Sequence, residues 1–227
     1  MVAIKSEKSI LFLGKSEDAH CNKALDFCLN NFRNVTAFLG KWGDKLPREA
    51  KEWSGDFIIS YLSRWIVPEY LLERARLAAF NFHPGSPDYP GIGCLNFALY
   101  DESPDYGVTC HHMSSQVDTG GIIAVKRFPI FASDDVASLL SRTHDIQLTL
   151  FFAVLSGLLQ GKPLPQSDET WTRQPYTRKE FNQLMTIQPD MTPEEISRRV
   201  RATSFGVYQP VVDLHGFKFQ FKPDRGE

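Results

Sequence analysis

The chain has 227 residues, 42% of them apolar, and a formal net charge of −2. That is enough apolar material for one large domain, or one domain with an appendage. It excludes the basic surplus that grips nucleic acid or acidic membranes, and no apolar run approaches the ~20 residues of a membrane span.

The N-terminus has no signal-peptide cleavage pattern, and "SILFLGKS" from Ser9 reads as a buried first strand. With no secretory signal, the scattered cysteines (Cys21, Cys28, Cys94 and Cys110) do not form a disulfide framework, and the chain reads as soluble and cytoplasmic. A helix follows with Ala24, Leu25, Cys28, Leu29 and Phe32 at helical spacing, capped by Ser16 or Asp18. "NVTAFLG" from Asn34 is a second strand, "LPREAKEW" a short helix, and "DFIISYLS" from Asp56 a third strand. "VPEYLLERAR" from Val67 predicts a helix with Pro68 near its first turn, and "LAAFNFH" a fourth strand. Strands alternating with helices predict an α/β protein with an open, largely parallel sheet and helices on both faces.

A Pro/Gly loop then leads into the helix "CLNFALYDE". "YGVTCHHMS" from Tyr106 and "GGIIAVKRFPI" from Gly120 read as strands joined by the turn "QVDTGG". A long helix with Ser133 as N-cap and Gly161 as stop ends the main domain, set at residues 1–163. Residues 164–227 form a C-terminal extension: a Pro-rich linker, a helix with the capping-box pattern Thr192 to Glu195, and a hairpin turning near His215-Gly216.

Ligands of open α/β sheets sit beyond the carboxyl ends of the strands, where Asn81 and His83 lie. Residues two apart on a strand point to the same side, so this amide and imidazole can face one reacting centre. The pair suits acyl transfer: an amide N–H stabilises an oxyanion and an imidazole moves a proton at neutral pH. Asp118, on the glycine-flanked turn, can orient or tune His83. His111 and His112 alternate across a strand, so one is expected buried and the other exposed. With Cys110 they make no zinc pattern, and no metal site is expected.

Taken together, "NFHP", the loop "YPGIGCLNFAL" and "YGVTCHHMSSQVDTGGII" resemble the folate-dependent formyltransferase family. The matching positions are Asn81, His83, Gly107, Thr109, His111, Asp118 and Gly120. The resemblance implies a Rossmann-like formyltransferase sheet, the co-substrate N10-formyltetrahydrofolate, and Asn81, His83 and Asp118 as the catalytic trio. It places the pterin near the segment after the third strand, with Tyr61, Leu62, Ile66, His111, Val117 and Gly120 as cofactor-binding residues.

Four acceptors divide this family. Enzymes acting on initiator methionyl-tRNA carry a further C-terminal barrel and a basic surface, whereas residues 165–227 hold nine Lys/Arg and nine Asp/Glu. Those acting on glycinamide ribonucleotide usually present a Gly/Ser-rich loop after the first strand; here "FLGKSEDAH" has one glycine. Hydrolases of the formyl donor usually carry an N-terminal regulatory domain, and none fits before Ser9. The small enzymes acting on a dTDP- or UDP-linked deoxyamino sugar are the most similar. In that likeness Tyr89 and Pro90 line the sugar side. Trp171, Arg173, Tyr176, Arg178 and Lys179 meet the nucleotide, and the chain pairs as a homodimer through its C-terminal part, with no nucleic-acid or membrane partner. A binding module that holds folate or a nucleotide sugar without turnover is the non-enzymatic alternative.

Overall fold

A computed structural model describes residues 5–222. Strands β1 (Ser6–Lys15), β2 (Phe32–Gly40), β3 (Gly55–Tyr61), β4 (Ala75–His83), β5 (Asp105–His112) and β6 (Ile122–Pro129) form one sheet in the order β2-β1-β3-β4-β5-β6. The first four in space run parallel, and β5 and β6 are antiparallel to their neighbours. The sheet is therefore mostly parallel, as the alternation of strands and helices predicts.

Alternation along each strand divides the core in two. Ile10 and Phe12, Phe57 and Ile59, and Phe80 and Phe82 pack into the larger core. The helices α1 (Ala19–Asn31), α4 (Cys94–Tyr100) and α5 (Val136–Leu159) close it. Phe151 of α5 sits at its centre, its ring meeting Phe12, Tyr61 and Phe82 at 5.0–6.5 Å. Truncating such a residue to alanine costs about 3–5 kcal/mol. Leu11, Leu13 and Ile58 face the other way, against α2 (Arg48–Glu52) and α3 (Glu69–Leu72). That thinner side is the one Asn81 and His83 face.

Several local expectations are corrected. Ala24 and Cys28 are buried and Leu25 packs on the core as the spacing predicts, but Leu29 is 44% exposed, Phe32 already belongs to β2, and α1 buries Cys21 as well. Asp18, not Ser16, caps α1, accepting from the His20 and Cys21 amides. The expected ten-residue helix from Val67 shrinks to α3, because Ala75 onward joins the sheet; Pro68 becomes its N-cap. Asp135 rather than Ser133 caps α5, in a reciprocal capping box with Ser138. All four cysteines are buried and free.

Beyond α5 come α6 (Arg178–Leu184), β7 (Thr186–Ile187), α7 (Pro193–Thr203), β8 (Val211–Leu214) and β9 (Phe217–Gln220). The hairpin forms as read, with His215 (φ 52°) and Gly216 (φ 87°) supplying the left-handed pair that a two-residue turn requires. The short β7 adds a parallel third strand to β8, which the sequence reading did not contain. Only half of the α7 capping box forms. Thr192 accepts from Glu195 N, but the Glu195 carboxylate turns to Arg198, Arg199 and the Tyr100 hydroxyl of α4. With Asn96 donating to Ala202 O at 2.6 Å, this anchors α7 on the main sheet's helices. Among the described residues no helix is long and apolar enough to cross a membrane.

Candidate active site

Register builds the site. Asn81 of β4 pairs with Ser60 of β3 on one side and with His111 of β5 on the other, so these three side chains form a row across one face of the sheet. His83, two residues on, lies opposite Thr109. The turn between β5 and β6 then carries Asp118 back over this row. Asp118 takes a left-handed backbone (φ 51°), which an aspartate tolerates better than most residues. Its neighbour Gly120 lies so close to β5 that a Cβ there would sit 1.9 Å from His112 O.

The Asp118 carboxylate is only 5% exposed and has three partners. It accepts from the Gly91 amide at 3.0 Å, lies 3.2 Å from His83 Nδ1 and 3.3 Å from His111 Nε2. The other His83 nitrogen, Nε2, meets Tyr89 O at 3.2 Å. Both ring nitrogens thus face oxygen acceptors, the arrangement that suits an imidazolium. Burial pushes the His83 pKa down, but the Asp118 charge, with contacts to Cys94 and Tyr89, outweighs it and raises the value to about 9. For Asp118, burial pushes the pKa up, and His83 with His111 overcomes this to bring it down to about 2. The geometry and both shifts agree on a charged pair at neutral pH.

His111 is buried and His112 exposed, as the alternation requires. His111 Nδ1–H donates to His112 O at 2.9 Å, and its Nε2 lies 3.1 Å from Asn81 Nδ2 and 3.3 Å from Asp118 Oδ1. An amide nitrogen carries two hydrogens, so Asn81 keeps one for another acceptor. The loop after His83 is pinned from β5: Tyr106 donates to Pro84 O and Thr109 to Gly85 O, each at 2.7 Å. Gly85 permits this close fold, since a Cβ there would lie 2.4 Å from His83 Nε2.

A cavity of about 420 Å³ opens onto Asn81, His111 and Asp118. Ile66 and Val117 line it, together with Ser60, Trp65 and the 75% exposed Trp42. Tyr61 does not line it: strand alternation turns Ser60 to the cavity and buries Tyr61 against Phe82 and Phe151. Leu62 packs against the larger core. Ser60 and Trp42 escaped the sequence reading. The available signal for Trp42 was a tryptophan at a strand exit between Gly40 and Gly43.

The expected acceptor residues separate. The Tyr89 side chain is buried between Tyr106 and Tyr176, and only its carbonyl reaches His83. Pro90 contributes a carbonyl that holds the Tyr176 amide. Tyr176 lines the cavity while stacking on Phe97 at 3.6 Å, and Arg173 lies over the Tyr176 ring and pairs with Glu180. Trp171 meets both buried histidines edge-on. Arg178 and Lys179 line a different groove of about 580 Å³ with Arg199.

The sequence matches the family model described as formyl transferase over residues 13–155. The chain belongs to the formyl transferase family. A methionyl-tRNA formyltransferase from Latilactobacillus sakei is 32% identical over 151 residues, 65% of this chain and 46% of that protein. The chain thus spans about half the length of the curated relatives it matches. Solved structures extend the likeness in fold. A 4-N formyltransferase from Francisella tularensis superposes with a TM-score of 0.76 at 16% identity, covering 95% of this chain and 97% of that one. An N-formyltransferase from Helicobacter canadensis, in complex with folinic acid and dTDP-3-aminofucose, gives 0.72 at 21% identity, covering 93% and 86%.

Proposed function

We propose that the protein transfers a formyl group from N10-formyltetrahydrofolate to the amine of a dTDP- or UDP-linked deoxyamino sugar. The observation carrying the acceptor class is the match in fold over 93% of this chain with an N-formyltransferase in complex with folinic acid and dTDP-3-aminofucose. The curated methionyl-tRNA formyltransferases align with about two-thirds of the chain. The even charge of residues 165–227 supports the same choice over tRNA, because phosphate-backbone affinity needs a cationic surplus.

In this reading the donor's pterin enters the 420 Å³ cavity between Ile66 and Val117, with Trp42 at its rim. The acceptor amine attacks the formyl carbon; a C–N bond forms and the carbonyl oxygen becomes an oxyanion. The free Asn81 N–H and the His83 imidazolium stabilise that charge, His83 exchanging its Tyr89 carbonyl partner for the reacting oxygen. The bond from carbon to N10 then breaks, and the proton lost by the amine ends on N10. A His83 already protonated at neutral pH stabilises the oxyanion and gives its proton to N10 as that bond breaks; the proton lost by the amine restores the imidazolium, so the net transfer runs from amine to N10. Asp118 keeps it charged and oriented. Residues 1–163 supply this chemistry. Residues 164–227 supply the acceptor side, with Arg178 and Lys179 on the diphosphate, and the face through which two copies pair.

Incubation with N10-formyltetrahydrofolate and a panel of dTDP-, UDP- and GDP-amino sugars should yield one N-formylated product by mass spectrometry. Preferential turnover of glycinamide ribonucleotide or methionyl-tRNA would overturn the acceptor assignment, and binding without turnover would leave a binding module.

A further inference from the structure

Residues 164–177, part of the Pro-rich linker in the sequence reading, run back across the catalytic end of the main domain. Ser167 N–H donates to Ile122 O at 3.1 Å, Thr172 N–H to Pro87 O at 3.2 Å, and Tyr176 N–H to Pro90 O at 2.9 Å. The strap is thus bonded both to β6 and to the loop that follows His83.

At the middle of the strap Trp171 turns inward. Its indole N–H donates to Gly120 O at 2.8 Å, two residues beyond Asp118. The same ring meets His111 at 5.1 Å and 84°, and His83 at 5.9 Å and 73°. One side chain therefore touches the turn that carries Asp118 and both histidines that face that carboxylate. The strap also lines a cavity of about 640 Å³, with Trp171, Gly120 and His112 in its wall.

We propose that Trp171 is a positioning residue, holding the His83–Asp118–His111 cluster in register and walling it off from the cavity that the strap lines. Its effect on turnover rests on the formyl-transfer reading; its effect on the free protein does not. The physical argument is dielectric. An ion pair attracts more strongly where water is excluded; water admitted beside it weakens both the attraction that raises the His83 midpoint and the burial that lowers it, so the midpoint moves from its raised value back toward the ordinary 6.5. The titratable groups facing His83 are Asp118 from the turn, His111 from β5 and Cys94 from α4. Trp171 adds an uncharged wall, so its removal changes hydration rather than charge. The strap lies outside residues 13–155, the span matched by the family model.

The test uses the full chain with W171A, W171L and W171F. The His83 imidazole is titrated by NMR in the ligand-free protein, its signal assigned by its loss in H83N, and formyl-transfer kinetics are measured alongside. In W171A and W171L the His83 midpoint should fall by at least one pH unit. In both, kcat should drop 10- to 100-fold while KM for donor and acceptor stays within threefold. W171F, which keeps a ring but no N–H, should retain most of the titration shift and of kcat. Should W171A not fold, the bulkier W171L decides the matter. A wild-type His83 titration in W171L, or a W171F that behaves like W171L, would overturn the assignment. A protein that transfers no formyl group to any acceptor would sink the functional reading alone, because the titration needs no substrate.

Discussion

The carboxyl end of the six-stranded sheet and the C-terminal three-stranded sheet handle their special residues in opposite ways. At the first, His83 and Asp118 are 4% and 5% exposed, and each polar atom has a protein partner. At the second, Phe217 and Phe219 of the edge strand β9 are 71% and 57% exposed, and Val207 nearby is 83% exposed. Buried charge persists only when it is paired, and a broad exposed apolar patch usually marks a contact surface. In the proposed function, chemistry belongs to the first end and pairing of two copies to the second.

The comparison breaks first at the proposed catalytic pair. His83→Asn should lower formyl transfer by about 10³-fold or more, read as product mass, while circular dichroism remains native. Near-normal turnover in that variant would remove His83 from the mechanism. Asp118→Ala should be nearly as damaging to activity, and should also cost about 3–5 kcal/mol of stability in urea titration, because it strands a buried partner. The pH dependence has a definite sign. The His83 pKa is raised from 6.5 to about 9, so its stabilising contribution is full below about 6.5 and fades as pH climbs toward 9. The Asp118 pKa is lowered from 3.8 to about 2, so its contribution is full above about 3.8 and fades as pH falls toward 2. Urea midpoints of the native chain should decline on both flanks, and those of D118A should show neither decline from this pair.

Gly85→Ala comes next. Its new Cβ must displace His83 Nε2 or the Tyr89 carbonyl, and a misplacement of about 1 Å costs on the order of 10²-fold in rate. An active G85A with an unchanged His83 environment would show that this loop has slack. The double variant R178A/K179A should raise KM for the nucleotide sugar about tenfold with kcat preserved; an unchanged KM would detach that groove from the acceptor. At the other end, Phe217→Asp with Phe219→Asp should convert a dimer to a monomer in sedimentation velocity, with formyl transfer changed less than threefold. A wild-type sedimentation profile for that pair would return the exposed aromatics to the status of ordinary surface.

The strand pattern made much of the fold legible. Apolar runs between glycine, proline and helical segments located six strands and the long α5, because burial on both faces requires uninterrupted apolar residues. Boundaries moved where tertiary pairing overrode local preference: α3 yields to β4 after four residues, and β7 exists only because β8 lies beside it. The spacing of Asn81 and His83 likewise put both on one face from period two alone, and it excluded His112 from the face that His111 occupies.

What the sequence could not determine is what meets those side chains across space. Its own periodicity placed Asn81 and His83, but cross-strand register decided that His111 orients the amide. A turn held by Gly120 decided that Asp118 reaches His83. The same limit explains Tyr61, whose neighbour Ser60 has the cavity-facing parity, and Trp171, which lies 88 positions from His83 in the chain yet packs against it. Periodicity is a local property of the backbone and is written in every strand. Contacts across the sheet depend on register and on loops folding back, and these are fixed only when the whole core closes.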